Sequence, residues 1–213
     1  MFYNERMARK WMLCLGLCLL GRLLSAQSIE SPLVFSFEEE KEAIRLYSAY
    51  DTQRGLLLIK GEVTVRTSPD KVLALLQDSP RGHLWVNEVR QMETLAAWGD
   101  SVWISRAFIH FPFPWKDRVL VMKNIVKRER PAIFFVTQQV EPTYYSGNSA
   151  YVPILNAYGQ WSIQCKNQYI SKITYIFGAD VQVALPAYVE KKMAIAGMYG
   201  TLRRMRRILE NRE

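Results

Sequence analysis

Few side chains in this sequence are suited to acid–base, nucleophilic or metal chemistry. The two histidines, His83 and His110, lie far apart and have no acidic residues at metal-ligand spacing, so we interpret both as structural. Cys165 lies in a predicted strand with no histidine near it, which favours an ordinary core or surface thiol. The sequence has no G-x-S-x-G motif, metal cluster or paired carboxylates. We therefore assign no catalytic residue and expect no metal and no cofactor.

The most informative segment is the aromatic, proline-rich stretch at residues 111–118, which reads FPFPWKDR. Its two prolines cannot donate backbone hydrogen bonds, so the segment predicts a stiff loop that leads into a strand. Loops that face water are normally rich in Gly, Asn, Asp and Ser. Phe111, Phe113 and Trp115 must instead be buried in the protein itself, in a ligand or in a membrane interface.

Composition predicts one globular domain behind a targeting segment. The chain has 213 residues, 49% of them hydrophobic, which suits a single substantial core. A basic start, the apolar run Trp11–Leu20 and the small residue Ala26 are typical of a secretory signal peptide over residues 1–26. An uncleaved membrane anchor is the alternative. Residues 27–213 form the predicted functional domain of an exported, secreted or periplasmic protein.

Charge argues against nucleic-acid binding. Residues 1–26 contain four of the bases and one of the acids, so their removal lowers the net charge from +8 to +5. This mild excess suits an anionic membrane surface. The sequence shows no basic stripe interleaved with aromatic residues and no recognition helix. Only Cys165 lies beyond residue 26, so the mature protein cannot form an internal disulfide.

The pattern along the chain predicts an α+β fold. Ser36 and Glu39 resemble a capping box, which predicts a short helix to about Ala43. Ser68 and Pro69 predict the start of a second helix that ends near residue 78, and a further short helical piece is expected around Trp85 and Val89. The predicted strands cover residues 44–50, 56–65, 92–97, 102–108, 118–126, 132–140, 151–165 and 169–177.

The end of the chain predicts one long helix. Apolar residues recur at helical spacing from about Pro186 to Glu210, including Met193, Ala196 and Gly200 on the stripe that we expect to face inward. Because the preceding strands are all consistent with hairpins, we expect a strongly curved antiparallel sheet that grips this helix.

Several motifs in order resemble the START family, the steroidogenic-acute-regulatory-protein-related lipid-transfer domains. Residues 112–119, PFPWKDRV, are similar to the family's Pro-aromatic-Pro loop and its entry into a strand. Glu62–Asp78 resembles the family's strand and following helix, Trp161 lies where the family has a strand tryptophan, and Gly178–Val189 resembles the loop before the last helix. The resemblance covers residues 36–210.

The resemblance implies a helix-grip fold with an internal apolar tunnel that holds one lipid, closed by the last helix and the proline-rich loop. The residues expected to line the tunnel are Trp85, Trp103, Arg106, Phe108, Tyr151, Trp161, Met193, Ala196 and Gly200. The residues expected at the gate or at a membrane are Phe113, Trp115, Asp117, Arg118, Val183 and Leu185.

Each of these assignments has a plainer alternative. Phe113 and Trp115 could cap the core instead of entering a bilayer. Asp117 and Arg118 could simply pair with each other and hold the loop closed, instead of meeting a lipid headgroup. Arg106 shares a strand face with Phe108, and it needs a buried partner only if that face lines the tunnel.

The function predicted from the sequence is non-catalytic binding and transfer of a hydrophobic lipid of the sterol or phospholipid class. The expected partners are that lipid and, transiently, a membrane surface, and we expect a monomer. Two alternatives remain: a helix-grip cyclase or hydrolase acting on a hydrophobic substrate, and a module that holds its ligand without moving it.

Overall fold

A computed structural model of the chain describes residues 33–129, 133–145 and 150–211. Residues 1–26, the predicted signal peptide, lie outside this part. The strands are β1 Ser36–Lys41, β2 Ile44–Asp51, β3 Leu56–Val65, β4 Val89–Trp98, β5 Val102–Ile109, β6 Arg118–Glu129, β7 Ile133–Val140, β8 Val152–Pro153, β9 Ala157–Asn167 and β10 Ile170–Ala179. The helices are α1 Pro69–Gln77 and α2 Ala187–Leu209, with 3₁₀ turns at Ser79–Leu84 and Pro142–Tyr144.

The ten strands form one sheet in the order β1-β2-β3-β10-β9-β7-β6-β5-β4, in which all neighbours are antiparallel, and β8 pairs in parallel with β6. The sheet is curved and α2 packs against one of its faces, which confirms the predicted α+β helix-grip architecture. We call the face toward α2 the interior face.

Gly61 on β3 shows how closely the helix approaches the sheet. A Cβ atom at Gly61 would lie 2.4 Å from Cδ1 of Leu202 and 2.9 Å from Cγ of Met198. Because side chains alternate along a strand, this contact identifies the interior positions of β3 and, through the strand pairing, of its neighbours.

No helix of residues 33–129, 133–145 and 150–211 is long and apolar enough to cross a bilayer.

Most elements lie where the pattern predicts them. Strand β3 has the predicted bounds, α1 begins at Pro69, and α2 differs from its prediction by one residue at each end. Helix α1 buries Val72, Leu73, Leu75 and Leu76 against the core, which explains its amphipathic pattern.

Three local predictions are wrong. Residues 36–41 form strand β1 instead of a helix, because they pair with β2 across a turn at Glu42 and Ala43, where φ is 51° and 56°. The segment around Trp85 is a 3₁₀ turn that ends at Leu84, and Val89 already begins β4. The predicted strand over residues 151–165 is divided, because Val152 pairs with β6 before the chain turns into β9.

Candidate functional site

The interior face carries a wall of aromatic rings. Trp161 on β9 and Tyr175 on β10 are cross-strand partners, and their rings stack with centroids 3.6 Å apart. Trp85 packs edge-on against Trp161 at 5.9 Å, and Phe177 lies 5.8 Å from Tyr175. The sheet therefore presents a broad, rigid and largely apolar surface toward the interior.

A row of polar side chains crosses the same face. Asn124 on β6 and Gln138 on β7 are cross-strand partners, and Gln138 Nε2 donates to Asn124 Oδ1 at 2.8 Å. Asn124 Nδ2 in turn donates to Ser105 Oγ at 3.1 Å and to the Trp103 carbonyl at 3.3 Å. The Tyr175 hydroxyl donates to Gln138 Oε1 at 3.3 Å. We call Ser105, Asn124, Gln138 and Tyr175 the polar row.

A glycine makes room for this row. Gly159 on β9 is the neighbour of Gln138, and a Cβ atom there would lie 2.3 Å from Gln138 Oε1. The missing side chain lets Gln138 reach across to the Tyr175 hydroxyl. Burial raises the pKa of Tyr175, so its hydroxyl remains a neutral donor.

Sequence analysis missed the polar row and found only its aromatic neighbours. Asn124 shares a strand face with Leu120 and Met122, and Gln138 shares one with Val136 and Val140, so each is a polar residue at an interior strand position. A polar residue within an alternating apolar series was the available signal. Only the strand pairing shows that the two residues are neighbours.

The proline-rich loop, residues 110–117, connects β5 to β6 and is organised by Asp117. The Asp117 carboxylate accepts from the Phe111 backbone N–H at 3.0 Å, contacts His110 Nδ1 at 2.9 Å, and accepts from the Arg90 guanidinium at 3.3 Å. These groups hold the pKa of Asp117 below its ordinary value, with the Phe111 N–H as the largest cause.

Arg118 has different partners from its neighbour Asp117. Arg118 is 3% exposed, and its guanidinium donates through Nε to the Val181 carbonyl at 2.8 Å. It also donates to the Lys116 carbonyl and lies 4.7 Å from the centroid of the Phe111 ring. Arg118 therefore joins the proline-rich loop to residues 180–186, the loop that precedes α2. Its burial lowers the pKa of the guanidinium.

The tip of the proline-rich loop is open to solvent. Phe113 is 96% exposed and Trp115 is 37% exposed, so neither ring caps the core. Val183 and Leu185, on the loop joined through Arg118, are half-buried. The two loops lie at one end of the sheet because β6 begins and β10 ends there.

Three residues that we expected in the tunnel lie on the other face of the sheet. Arg106 and Phe108 alternate with Trp103 and Ser105 along β5, and this places them away from α2. Arg106 Nε bonds to Glu93 Oε1 at 2.8 Å. The Phe108 ring packs against Tyr151 at 4.9 Å, so Tyr151 also lies on that side.

The stripe of α2 that packs on the sheet also differs from the expected one. Its buried residues are Ile195, Met198, Thr201, Leu202 and Met205. Met193 is 47% exposed and Ala196 is also exposed. Gly200 faces the segment after the first 3₁₀ turn, since a Cβ atom there would lie 2.8 Å from Asn87 Oδ1. Trp85, Trp103 and Trp161 belong to the buried core on the interior face.

The contribution of the Asp117 carboxylate to the free energy of unfolding should depend on pH. Because its pKa is lowered in the folded state, its stabilising contribution is complete above the unfolded-state pKa of about 3.9 and is lost as pH falls through the folded-state value. The difference in unfolding free energy between wild type and Asp117→Asn should therefore shrink as pH falls from about 5 to about 2. Urea denaturation at several pH values measures it.

Glu129→Gln, at the exposed far end of β6, is the control for this series. The difference in unfolding free energy between this variant and wild type should depend less on pH than that of Asp117→Asn. Equal pH dependence of the two variants would show that Asp117 does not hold the loop through its charge.

No family model matches the sequence. An uncharacterized protein of Pseudomonas aeruginosa is 21% identical over 180 residues, which cover 82% of this chain and 86% of that protein.

Three solved structures share the fold. The STAR-related lipid transfer protein of Xanthomonas axonopodis has a TM-score of 0.74 and 22% identity, over 82% of this chain and 98% of that one. The lipid transfer and protein localization domain of human StarD13 has a TM-score of 0.70 and 17% identity, over 98% of both chains. Human STARD10 has a TM-score of 0.68 and 17% identity, over 84% of this chain and 74% of that one.

The fold class follows from the sheet, the long helix and these likenesses. The described part of the chain has the helix-grip fold of START domains, as the resemblance in sequence predicted. The structural likeness defines the fold and does not identify a ligand.

Proposed function

We propose that this protein binds one hydrophobic lipid between the interior face and α2 and transfers it between membranes without catalysis. The observation that carries the proposal is the pairing of an aromatic interior wall with an uncharged polar row. Apolar pockets with a few placed polar groups are typical of sites for small hydrophobic ligands. The Xanthomonas protein, described as a lipid transfer protein, has the same fold.

The energetics of lipid uptake suit this interior. Burial of each methylene contributes roughly 0.8 kcal/mol, so an acyl chain or a sterol ring system is stabilised in an apolar site about as well as in a bilayer. The polar side chains of the interior row are amides and hydroxyls, which orient a ligand but do not supply a charged acid or base. This chemistry supports a carrier over a cyclase or hydrolase.

The end of the sheet that carries the proline-rich loop is the proposed membrane contact. Phe113 and Trp115 lie at its tip, and two further residues are exposed at the same end, Leu155 between β8 and β9 and Tyr188 in the first turn of α2. Aromatic side chains are favoured at the interface between hydrocarbon and water. We expect contact with a bilayer to separate the two loops that Arg118 joins, so that the lipid can pass between them toward the interior face.

Export and oligomeric state are part of the same proposal. Residues 1–26 would direct the chain out of the cytoplasm, to the periplasm or the medium, and would tether it to a membrane if they were retained. The protein would act as a monomer, since one chain provides both the sheet and the helix that enclose the ligand.

Two measurements test the proposal. Mass spectrometry of the purified protein should detect a co-purified lipid. Transfer of a fluorescent lipid between vesicles should then fall at least tenfold in the double variant Phe113→Ala, Trp115→Ala, because burial of one such ring contributes roughly 1.5–3 kcal/mol and about 1.4 kcal/mol is a factor of ten. Unchanged transfer would remove the loop from the mechanism.

Tyr169→Ala is the matched control. Tyr169 is an exposed aromatic residue at the opposite end of the sheet, in the turn between β9 and β10. This variant should transfer lipid at the wild-type rate. If it slows transfer as much as the loop variant does, general loss of surface aromatic residues is responsible and the proposed membrane contact is wrong.

A further inference from the structure

Two tryptophans of the interior have buried indole N–H groups that find no acceptor among residues 33–129, 133–145 and 150–211. Trp85 and Trp103 are 4% and 5% exposed. Nε1 of each is buried and has no hydrogen-bond partner in the part of the chain that the structure describes. An indole N–H is only a donor, so each lacks an acceptor. Buried donors in folded proteins are nearly always paired, which makes two such groups in one core exceptional.

The two tryptophans lie next to two parts of the proposed binding surface, the aromatic wall and the polar row. Both pack in the core cluster that contains Trp161 and Val136. Trp85 contacts Trp161 directly, and Trp103 is the cross-strand neighbour of Asn124 in the polar row. The two indole N–H groups therefore lack acceptors beside the aromatic wall and the polar row, where the proposed ligand would lie.

The described side chains of the polar row, next to Trp103, carry no charge. The polar row consists of a serine hydroxyl, two amides and the Tyr175 hydroxyl, and they already bond to one another. The buried cation Arg118 lies at the end of the sheet with the proline-rich loop, bonded to backbone carbonyls. A phosphate or carboxylate beside Trp85 and Trp103 would lose its hydration without gaining an opposite charge.

We propose that Trp85 and Trp103 recognise a neutral acceptor oxygen of the lipid through their indole N–H groups. The inference rests on the proposed function and narrows its ligand class. It selects lipids with a hydroxyl, ketone, ester or amide oxygen within the buried part, and it disfavours pure hydrocarbons and lipids whose charged headgroup would lie at this point. The aromatic wall binds the apolar body, and the two donors fix its position.

The test uses pairs of probes that differ only in the oxygen. One pair is 5α-cholestan-3β-ol and 5α-cholestane, and the other is oleyl alcohol and (Z)-9-octadecene, each supplied from phosphatidylcholine vesicles to the delipidated full chain. The measured quantity is the ratio of bound alcohol to bound hydrocarbon. In the double variant Trp85→Phe, Trp103→Phe this ratio should fall about tenfold, which corresponds to about 1.4 kcal/mol.

Trp98→Phe is the matched control, because Trp98 is exposed at the end of β4. Its ratio should equal that of wild type. An equal ratio in wild type and in the double variant would overturn the inference.

A second measurement on wild type guards against misfolding of the double variant. In ¹⁵N–¹H spectra of the tryptophan side chains, assigned with the single variants, the N–H signals of Trp85 and Trp103 should shift with the alcohols and not with the hydrocarbons. Identical shifts with both members of a pair would overturn the inference and leave lipid binding intact. Binding of none of the four probes, with no co-purified lipid, would instead contradict the proposed function itself.

Discussion

Replacing Arg118 with methionine is expected to lower the free energy of unfolding by about 2–3 kcal/mol. The substitution removes the hydrogen bonds from the guanidinium to the Val181 and Lys116 carbonyls, and a hydrogen bond to a charged group contributes roughly 1.5–3 kcal/mol. Loss of the guanidinium also removes its own desolvation cost, so the effect stays below the sum for two carbonyls. Urea denaturation of wild type and variant measures the difference.

The same variant should loosen the proposed gate. Arg118 bonds to both loops, so its removal should increase hydrogen exchange at the amides of residues 111–117 and 180–186 more than in the rest of the sheet. Lipid uptake from vesicles should become faster for the fraction that remains folded.

Arg90→Met separates the role of Arg118 from a general effect of charge. Arg90 is an exposed arginine that contacts Asp117 in the same loop region, and a surface pair of this kind contributes about 0–1 kcal/mol. If the two variants lose equal stability, the buried position of Arg118 has no special importance.

The order of elements could be predicted from the sequence because local patterns determine it. Alternation in Leu56–Val65 fixes strand β3, and the proline and acidic residues after Ser68 fix the start of α1. Strand β1 could not be predicted in this way. Its Ser36 and Glu39 have the spacing of a capping box, but pairing with β2 and the ion pair from Glu38 to Lys191 of α2 decide its conformation.

The site was harder to predict because its residues meet only through strand pairing. The sequence shows that Arg106 and Phe108 share a face of β5, but the choice of face depends on where α2 packs. The polar row likewise needs the register between β6 and β7. The aromatic loop could be identified because its prolines exclude every regular structure, whatever the tertiary contacts.

The two halves of α2 should differ sharply in their response to substitution. Leu202 is fully buried against Gly61 of β3, so Leu202→Ala should lower the free energy of unfolding by about 3–4 kcal/mol through lost burial and the cavity left behind. Met193, two and a half turns earlier, is half exposed, and Met193→Ala should cost less than about 1 kcal/mol. Chemical denaturation of the two variants measures both changes.

This contrast bears on how a lipid could enter. The second half of α2 is fixed by Leu202, Met205 and the bond from the Arg66 backbone N–H to Glu210 Oε1, at 2.9 Å. The first half follows the loop that Arg118 holds and is attached to the sheet through Ile195 and the ion pair from Lys191 to Glu38, so we expect it to move more readily than the second half. Met193→Ala should therefore change the rate of lipid uptake by a larger factor than Leu202→Ala does. Leu202→Ala should lower the free energy of unfolding more than Met193→Ala does. Equal losses of unfolding free energy in the two variants would mean that both halves of α2 pack equally firmly on the sheet. The proposed gate would then consist of the two loops alone.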